Sequence, residues 1–236
     1  MKIDFTKLKR AFEPRCVAVV GDSIRNNFSW LRAQSDFKGK LYSVQVTPET
    51  IDRIKAQGVE NYTRILDIPD KIDLAIIAVP RSAVSGVLED CIRKDVAAVH
   101  LFTAGFSETD TEEGMRLEHR LMEQAEEANL HVIGPNCFGI FNPGIGLKQS
   151  MEQYNGVSGP VGFISQSGNL ALGFSLEAHL QGIDINKSVS YGNGTMIDST
   201  DYLKHFGRDP EIKIIGMYLE GVRDKERFLK VLGEVS

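Results

Sequence analysis

The chain has 236 residues, of which 42% are hydrophobic and 25% are charged, and both values are typical of globular proteins. Its formal net charge of -5 at pH 7 gives no broad basic surface, so we expect no nucleic-acid partner. It has neither an apolar run of about 18 residues nor a signal-peptide stretch, which predicts a soluble, cytoplasmic protein without a membrane segment. The cysteines are too few and too scattered for a disulfide framework or a zinc site, so no metal site is predicted; they are Cys16, Cys91 and Cys137.

Five short apolar runs, rich in valine and isoleucine, recur in the first 137 residues, and each is followed by a polar or helix-patterned stretch. Continuous apolar character predicts buried strands of a parallel sheet that helices cover on both faces. Apolar residues at helical spacing follow Thr109 and Glu112. The spacing of these two residues predicts a capping box at the start of that helix. The alternation predicts a doubly wound α/β unit. The five runs are 16–20, 41–46, 73–79, 97–102 and 131–133.

A second series of strands and helices follows residues 141–160, a stretch of scattered glycine and proline that predicts a linker or long loop. Three strands are few for an open parallel sheet, so the second domain is expected to be cut short, small or completed by another chain. The open sheet edge also predicts association into an oligomer. The predicted strands are 161–165, 187–191 and 212–219, and the predicted helices are 168–180 and 200–206.

Ligands of open α/β sheets bind beyond the carboxyl ends of the strands. Gly21 ends the first predicted strand and would let a phosphate approach the backbone, but the loop lacks the full G-x-G-x-x-G pattern. An NAD site would place an acidic residue at the tip of the second strand, and here Glu49 comes only after Pro48. NAD is therefore poorly supported by the first domain.

Residues 165–169, with the sequence SQSGN, join a predicted buried strand to a helix. Two hydroxyls and a glycine at a helix N-terminus provide free N–H groups and a favourable dipole, which predicts a phosphoryl ligand. The alternative is that Ser167 only caps the helix. Residues 191–194 fall on the same edge and could line the same cleft.

Taken in order, these segments resemble the N-terminal part of the NDP-forming acyl-CoA synthetases, which include ADP-forming acetyl-CoA synthetase and the α subunit of succinyl-CoA synthetase. The most specific part of the resemblance is the pair GPNC-x-G and SQSG at this separation. The matching segments are VAVVG at 17–21, DLAIIAVP at 73–80, TAGF at 103–106, GPNCFG at 134–139, SQSG at 165–168 and YLEGVRD at 218–224.

The resemblance implies a Rossmann-like CoA-binding domain, residues 1–142, followed by an incomplete flavodoxin-like ligase domain, residues 143–236. It also implies that CoA lies along the carboxyl edge of the first sheet, with its thiol end and the acyl group near Asn136 and Cys137. The implied CoA-binding residues are Gly21, Asp22, Ser23, Val46, Ala78, Val79, Pro80, Thr103, Ala104, Gly105, Asn136 and Cys137.

In that family, phosphate passes from an acyl phosphate through a phosphohistidine to a nucleotide. The resemblance implies that Ser165, Ser167 and Gly168 bind the phosphohistidine, that Glu220 orients or stabilises it, and that Ser167, Gly168 and Glu220 form the catalytic set. The family's histidine-x-glycine-alanine segment does not occur in this sequence. Its histidines lie elsewhere, in stretches that favour structural roles; they are His100, His119, His131, His179 and His205.

We therefore predict a CoA-binding subunit or fragment of an acid–CoA ligase that is inactive alone. A small carboxylic acid would be the substrate, and a partner or missing nucleotide-grasp domain would bind the nucleoside triphosphate and magnesium. The family's basic residue after the second strand is absent at 47–49, so Arg25 or Lys40 would bind the CoA 3′-phosphate. Two alternatives stay open. One is a non-catalytic CoA or acyl-CoA sensor, and the other is an NAD(P)-binding oxidoreductase, which does not account for SQSG.

Overall fold

The first sheet has six parallel strands in the order β3-β2-β1-β4-β5-β6. The structure, a computed structural model, describes residues 3–236. This strand order is that of a Rossmann-like, doubly wound sheet, as predicted. The strands are β1 (Cys16–Val20), β2 (Lys40–Val44), β3 (Glu60–Tyr62), β4 (Leu74–Ile77), β5 (Ala98–Leu101) and β6 (His131–Ile133).

Helices cover both faces of this sheet because its central strand is apolar on both sides. Val17 and Val19 of β1 pack in one core cluster, and Ala18 and Val20 pack in another. Successive side chains of a strand point to opposite faces, so both faces need a cover. The helices are α1 (Phe5–Phe12), α2 (Ser29–Ala33), α3 (Pro48–Ala56), α4 (Val84–Arg93) and α5 (Glu112–Glu127).

The second sheet has four strands in the order β10-β8-β9-β7, one more than the sequence predicts. The strands are β7 (Gly139–Phe141), β8 (Val161–Ser165), β9 (Ile185–Ser190) and β10 (Ile214–Tyr218), and the helices are α6 (Gly168–Leu180), α7 (Ser199–Phe206) and α8 (Lys225–Val235). The unpredicted strand β7 pairs antiparallel with β9, and the other pairs are parallel. The range predicted for the first domain therefore includes a strand of the second sheet.

The structure adds one further strand that the sequence does not predict, contradicts one predicted cap and agrees with the predicted long loop. The short strand β3 was missed because its three residues are polar and only partly buried. The predicted capping box is wrong, since Thr111 caps α5 by accepting from the Gly114 amide at 3.1 Å, while the Thr109 hydroxyl donates to the carbonyl of Phe106. The stretch 141–160 is a long loop after β7, but its buried Gln149 anchors it by donating to the Gly139 carbonyl at 2.6 Å.

The two domains share one continuous core. Phe12 of α1 packs against Tyr202 and Phe206 of α7, with ring centroids 6.2 and 5.3 Å away. His100 of β5 is buried, and its Nε2 lies 3.0 Å from the carbonyl oxygen of Cys137, just before β7. No helix within residues 3–236 is long and apolar enough to cross a membrane.

Burial lowers the pKa of His100 from 6.5 to about 4, although its hydrogen bond to Cys137 acts in the opposite direction. The unfolded chain thus binds a proton at a higher pH than the folded chain. The His100 contribution to stability is full above pH 6.5 and is lost as the pH falls towards 4.

We expect this single group to lower the free energy of unfolding by about 2 kcal/mol between pH 7 and pH 5. Urea unfolding at the two pH values should therefore show a smaller pH dependence for His100→Gln than for the wild type. His119→Gln, at an exposed site on α5, is the matched control and should keep the wild-type dependence. An unchanged pH dependence in His100→Gln would contradict this assignment.

Candidate functional site

The carboxyl ends of the two sheets open onto one cavity of about 370 Å³. The structure brings together five of the predicted site residues there: Asn136 and Cys137 from the first domain and Ser167, Gly168 and Glu220 from the second. The loop after β9 also reaches the cavity, as the sequence suggested. The remaining lining residues are Phe102, Glu108, Phe138, Gln166, Asn169, Gly192 and Asn193.

The N-terminus of α6 borders this cavity. Ser167 is its N-cap residue, and its hydroxyl accepts from the Leu170 amide at 3.4 Å, so the predicted capping role is present. The first N–H groups of a helix have no intrahelical partner, and Gly168 and Asn169 place theirs beside the cavity. Capping and anion binding are therefore compatible at this helix end.

Gly168 is required by the packing of the two domains. A Cβ atom at this position would lie 2.2 Å from the ring of Phe138. The start of α6 can approach the loop after β6 only because this side chain is missing. The same contact holds the helix end against Asn136 and Cys137.

Glu220 follows β10 and is positioned by Gln166, which the sequence analysis did not select. The Gln166 side-chain oxygen accepts from the amides of Glu220 and Gly221 at 2.9 and 3.3 Å. The Glu220 carboxylate is exposed to the cavity and forms no hydrogen bond or ion pair with residues 3–236. The carboxylate is therefore available to accept a hydrogen bond from a ligand.

The cavity lining contains two carboxylates and neither lysine nor arginine. The second carboxylate, Glu108, is occupied by hydrogen bonds from Asn193 and from the amides of Gly105 and Phe106. Partial burial acts to raise the pKa of Glu108, but these bonds outweigh it and leave the pKa below its ordinary value. An anion in this cavity would thus depend on amides, hydroxyls and the dipole of α6.

A continuous rim of predicted CoA-binding residues leads along the first sheet to this cavity. Gly21 has a φ of +92°, and a Cβ there would lie 2.4 Å from Val79, so the loops after β1 and β4 meet closely. The Thr103 hydroxyl donates to the Val79 carbonyl at 2.7 Å, and the Asn136 amide donates to the Thr103 carbonyl at 3.2 Å. The loops after β1, β4, β5 and β6 therefore form one connected edge.

The other predicted rim residues differ in their exposure to solvent. Ser23, Ala78 and Gly105 are half-buried, whereas Val46, Pro80 and Ala104 are exposed. The Gly105 carbonyl accepts from Arg81 at 2.6 Å, which fixes the loop after β5. None of these six residues lines the cavity itself.

Three predicted site side chains are buried and already in contact with other protein groups, so they are not available to a ligand. The buried Asp22 carboxylate accepts from the Leu31 amide at 2.8 Å, and burial raises its pKa despite this and other hydrogen bonds. The Ser165 hydroxyl is buried and donates to the Ser167 carbonyl at 2.7 Å. The Cys137 thiol is buried beside the Leu101 and Ile133 carbonyls, and burial raises its pKa to about 12. These residues support the site through their backbone or by fixing loops.

Lys40 cannot serve the CoA 3′-phosphate as suggested. It begins β2, so it lies at the opposite edge of the sheet, where its ammonium forms an ion pair with Asp70 at 2.8 Å. Arg25 lies in the loop after β1, on the correct edge, and its exposed side chain has no ion pair with residues 3–236. No group of three histidine, cysteine or acidic residues in the described part of the chain could hold a metal ion.

A buried carboxylate that sequence reasoning missed joins the two domains beside the cavity. Glu118 of α5 is 5% exposed and accepts from the Ser107 hydroxyl at 2.7 Å. It also accepts from Asn193 at 2.7 Å and from Thr195 at 2.5 Å, both in the loop after β9. Arg223 holds the same loop by donating to the carbonyls of Thr195 and Asn193 at 2.6 and 3.3 Å. An acidic residue within a helix pattern gives no sequence signal for this role.

Comparisons with known proteins find two family matches along the chain. The CoA binding domain family matches residues 15–143, and the family described as succinyl-CoA ligase like flavodoxin domain matches residues 158–236. The chain belongs to the CoA binding domain family and continues into a succinyl-CoA ligase-like flavodoxin domain. The predicted resemblance to the NDP-forming acyl-CoA synthetases is confirmed.

Particular relatives extend over nearly the whole chain. The acetate–CoA ligase [ADP-forming] of Methanocaldococcus jannaschii is 38% identical over 98% of this chain and 32% of its own length. The α subunit of acetate–CoA ligase [ADP-forming] I of Pyrococcus furiosus is 34% identical over 97% of this chain and 50% of its own.

A solved structure is also similar to this chain in sequence and in fold. The dinucleotide-forming acetyl-coenzyme A synthetase 1 of Ca. Korarchaeum cryptofilum, in complex with phosphate and ADP, superposes with a TM-score of 0.86 and 34% identity, covering 97% of this chain and 49% of that chain. The chain thus spans about a third to a half of the length of these relatives.

The Glu118 junction can be tested by stability measurements. Glu118→Leu should lower the free energy of unfolding by about 3 kcal/mol, because it leaves the partly buried amide and hydroxyl of Ser107 and the hydroxyl of Thr195 without an acceptor. Glu113→Ala is a matched control on the same helix, since its carboxylate is exposed in an ion pair with Arg81, and should change stability by less than about 0.5 kcal/mol. Equal effects in urea unfolding would rule out the junction.

Proposed function

We propose that this chain is the CoA-binding, α-type part of an NDP-forming acid–CoA ligase. The complete enzyme would interconvert acyl-CoA, a nucleoside diphosphate and phosphate with a carboxylic acid, CoA and a nucleoside triphosphate. One observation carries the proposal: the rim of the first sheet and the N-terminus of α6 in the second domain open onto the same cavity. The named ADP-forming acetate–CoA ligases that match nearly the whole chain support it.

CoA would lie along the connected edge from Gly21 to Asn136. Gly21 would shape this edge without donating to CoA itself, because its amide donates to the Val44 carbonyl at 3.1 Å and its missing Cβ lets the turn pack against Val79. Arg25 is the candidate for the 3′-phosphate, since its guanidinium can bind a phosphate in bidentate fashion. The thiol end would reach the cavity beside Asn136 and Cys137.

The phosphoryl group would bind at the N-terminus of α6, through Ser167 and the amides of Gly168 and Asn169. A lone carboxylate such as Glu220 repels a phosphate but attracts the N–H of an imidazole. This arrangement therefore suits a phosphohistidine better than free phosphate. None of the five histidines of this sequence lines the cavity. We assign the phosphorylated histidine to a segment outside this sequence or to a partner chain.

Nucleotide and magnesium would bind to a partner nucleotide-grasp domain or subunit, with which this chain forms an oligomer in the cytoplasm. The Korarchaeum relative has been solved with phosphate and ADP, and the Pyrococcus relative is named as an α subunit. A small carboxylic acid would be the acyl substrate. These assignments rest on the similarity of this chain to part of each relative.

The two alternatives are less well supported. At the tip of β2, Gln45 occupies the place where an NAD enzyme needs an acidic side chain, and its amide donates to the Asp22 carbonyl at 2.9 Å. Glu49 lies farther on, in α3, and is exposed. A CoA sensor would need neither a helix end with free amides nor the free carboxylate of Glu220 in the same cavity.

Calorimetric titration of the chain with CoA, dephospho-CoA and NADH tests the proposed CoA binding. We expect CoA to bind most tightly and NADH not to bind. Gly21→Ala should weaken CoA binding at least about tenfold, because its Cβ would displace the loop after β4. Gly58→Ala is the matched control, since Gly58 also has a positive φ but adjoins open space. Preference for NADH would overturn the proposal.

Titration with inorganic phosphate tests the proposed phosphoryl site at the N-terminus of α6. Ser167→Ala should raise the Kd for inorganic phosphate by roughly three- to tenfold, as expected for one lost hydrogen bond. Ser85→Ala, at an exposed position on α4, should leave this Kd unchanged. Gly168 is unsuitable as a target, because any side chain there would clash with Phe138. Incubation with an acyl phosphate or labelled ATP should leave no phosphohistidine on this chain, and labelling of any of its histidines would contradict the assignment.

A further inference from the structure

Glu108 connects the proposed CoA edge with the cavity proposed for the phosphoryl group. One oxygen of its carboxylate, Oε1, accepts from two consecutive amides, those of Gly105 at 2.5 Å and Phe106 at 3.1 Å. The other oxygen, Oε2, accepts from the side-chain amide of Asn193 at 2.7 Å. Gly105 belongs to the predicted CoA-binding rim, whereas Glu108 and Asn193 line the cavity. A single side chain therefore contacts both proposed sites.

The amides of Gly105 and Phe106 form a position for a hydrogen-bond acceptor, which Glu108 fills. Successive amides that point at one atom form concavities that bind anions and other acceptors, and the φ of +103° at Gly105 turns the two amides the same way. The Glu108 side chain is exposed, so water can take over its hydrogen bonds if it leaves. The Gly105 carbonyl accepts from Arg81 at 2.6 Å, which holds the loop independently of Glu108.

Glu108 also occupies one of the two donors of Asn193. A side-chain amide has two N–H groups. The two shortest contacts of the Asn193 nitrogen are to carboxylate oxygens of Glu108 and Glu118, each at 2.7 Å. The hydroxyl of Ser107, at 3.1 Å, is a third and weaker acceptor because it is neutral. If Glu108 leaves, one N–H of Asn193 loses its charged acceptor and becomes available to a stronger one in the cavity.

We propose that Glu108 is an internal competitor of CoA, and that its displacement frees Asn193 to donate to a phosphoryl group. The inference rests on the proposed function, because CoA must lie along the first sheet and the phosphoryl group at the N-terminus of α6. An acceptor atom of CoA takes over the amides of Gly105 and Phe106, the Glu108 carboxylate turns to solvent, and the freed N–H donates to the phosphoryl group.

The loop after β9 stays in place during this exchange. Glu118 continues to accept from Asn193 and from Thr195, at 2.7 and 2.5 Å, and Arg223 continues to donate to the carbonyl of Thr195 at 2.6 Å. The change is therefore confined to one exposed side chain and its hydrogen-bond partners. Because coupling between two binding equilibria is reciprocal, a phosphoryl group should favour CoA by the same factor by which CoA favours the phosphoryl group.

Linked titrations of the intact wild-type chain test the coupling. At constant ionic strength, the Kd for inorganic phosphate should fall about three- to tenfold when CoA is saturating, as expected for one gained hydrogen bond. The Kd for CoA should fall by the same factor in saturating phosphate. A phosphate Kd that does not respond to CoA would overturn the internal competition and leave CoA binding intact. A chain that does not bind CoA at all would overturn the proposed function itself.

Glu108→Ala distinguishes a competitor from a structural support. Loss of a competitor should tighten CoA binding about three- to tenfold and should give phosphate, without CoA, the affinity that the wild type reaches with CoA. Loss of a support would instead weaken CoA binding, and that result would contradict the proposal. Glu112→Ala is the matched control, because its exposed carboxylate at the start of α5 forms no hydrogen bond or ion pair with residues 3–236, and it should behave as wild type.

Asn193→Ala removes the freed donor itself. Its Kd for phosphate should change by less than about twofold when CoA is added, because no N–H is released into the cavity. Glu108→Ala and Asn193→Ala therefore shift phosphate affinity in opposite directions, although the two side chains are hydrogen-bonded to each other. A general loss of stability would weaken binding in both variants. An Asn193→Ala chain that keeps the full wild-type coupling would rule out Asn193 as the donor.

Discussion

The contact between the loop after β6 and the loop after β9 determines where the candidate functional groups lie. Gly192 approaches the first domain so closely that a Cβ would be 2.2 and 2.3 Å from the carbonyl oxygens of Asn136 and Pro135. Glu118 reinforces the contact by accepting from two residues of the loop after β9. Because these loops follow strands of different sheets, the contact merges two carboxyl edges into one cavity. A separation of the domains would leave two shallow clefts, each with half of the groups.

The electrostatics of the cavity follow from this junction. Glu108 and Asn193 satisfy each other across the domain boundary, which leaves Glu220 as the carboxylate available to a ligand. An anion can still bind in the same cavity, because the N-terminus of α6 supplies amides and a positive dipole end without a full charge. Weak, directional donors together with a free carboxylate suit a group that carries both a phosphate and a protonatable ring.

Several parts of the fold and site could be predicted because they depend on local pattern. The Val-rich run at β1 and the fully buried β8 gave strands whose predicted bounds match the observed ones, and the predicted bounds of α6 match as well. β3 was missed because its residues are polar and only partly buried, and β7 because it begins with a glycine and is defined by its pairing with the distant β9. Lys40 was suggested by its charge alone, although the predicted strand 41–46 already places it at the amino end of β2, away from the carboxyl edge.

The sequence by itself determined the alternation of strands and helices in the first domain and the two loops, GPNC and SQSG, at the ends of predicted strands. These features depend on residues close together in the chain, where apolar period and glycine position act directly. Only the tertiary structure decided that Asn136, Ser167 and Glu220 share one cavity and that Glu118 holds its two sides together. Such contacts join residues that are far apart in sequence, so they arise from packing between elements and leave no local pattern behind.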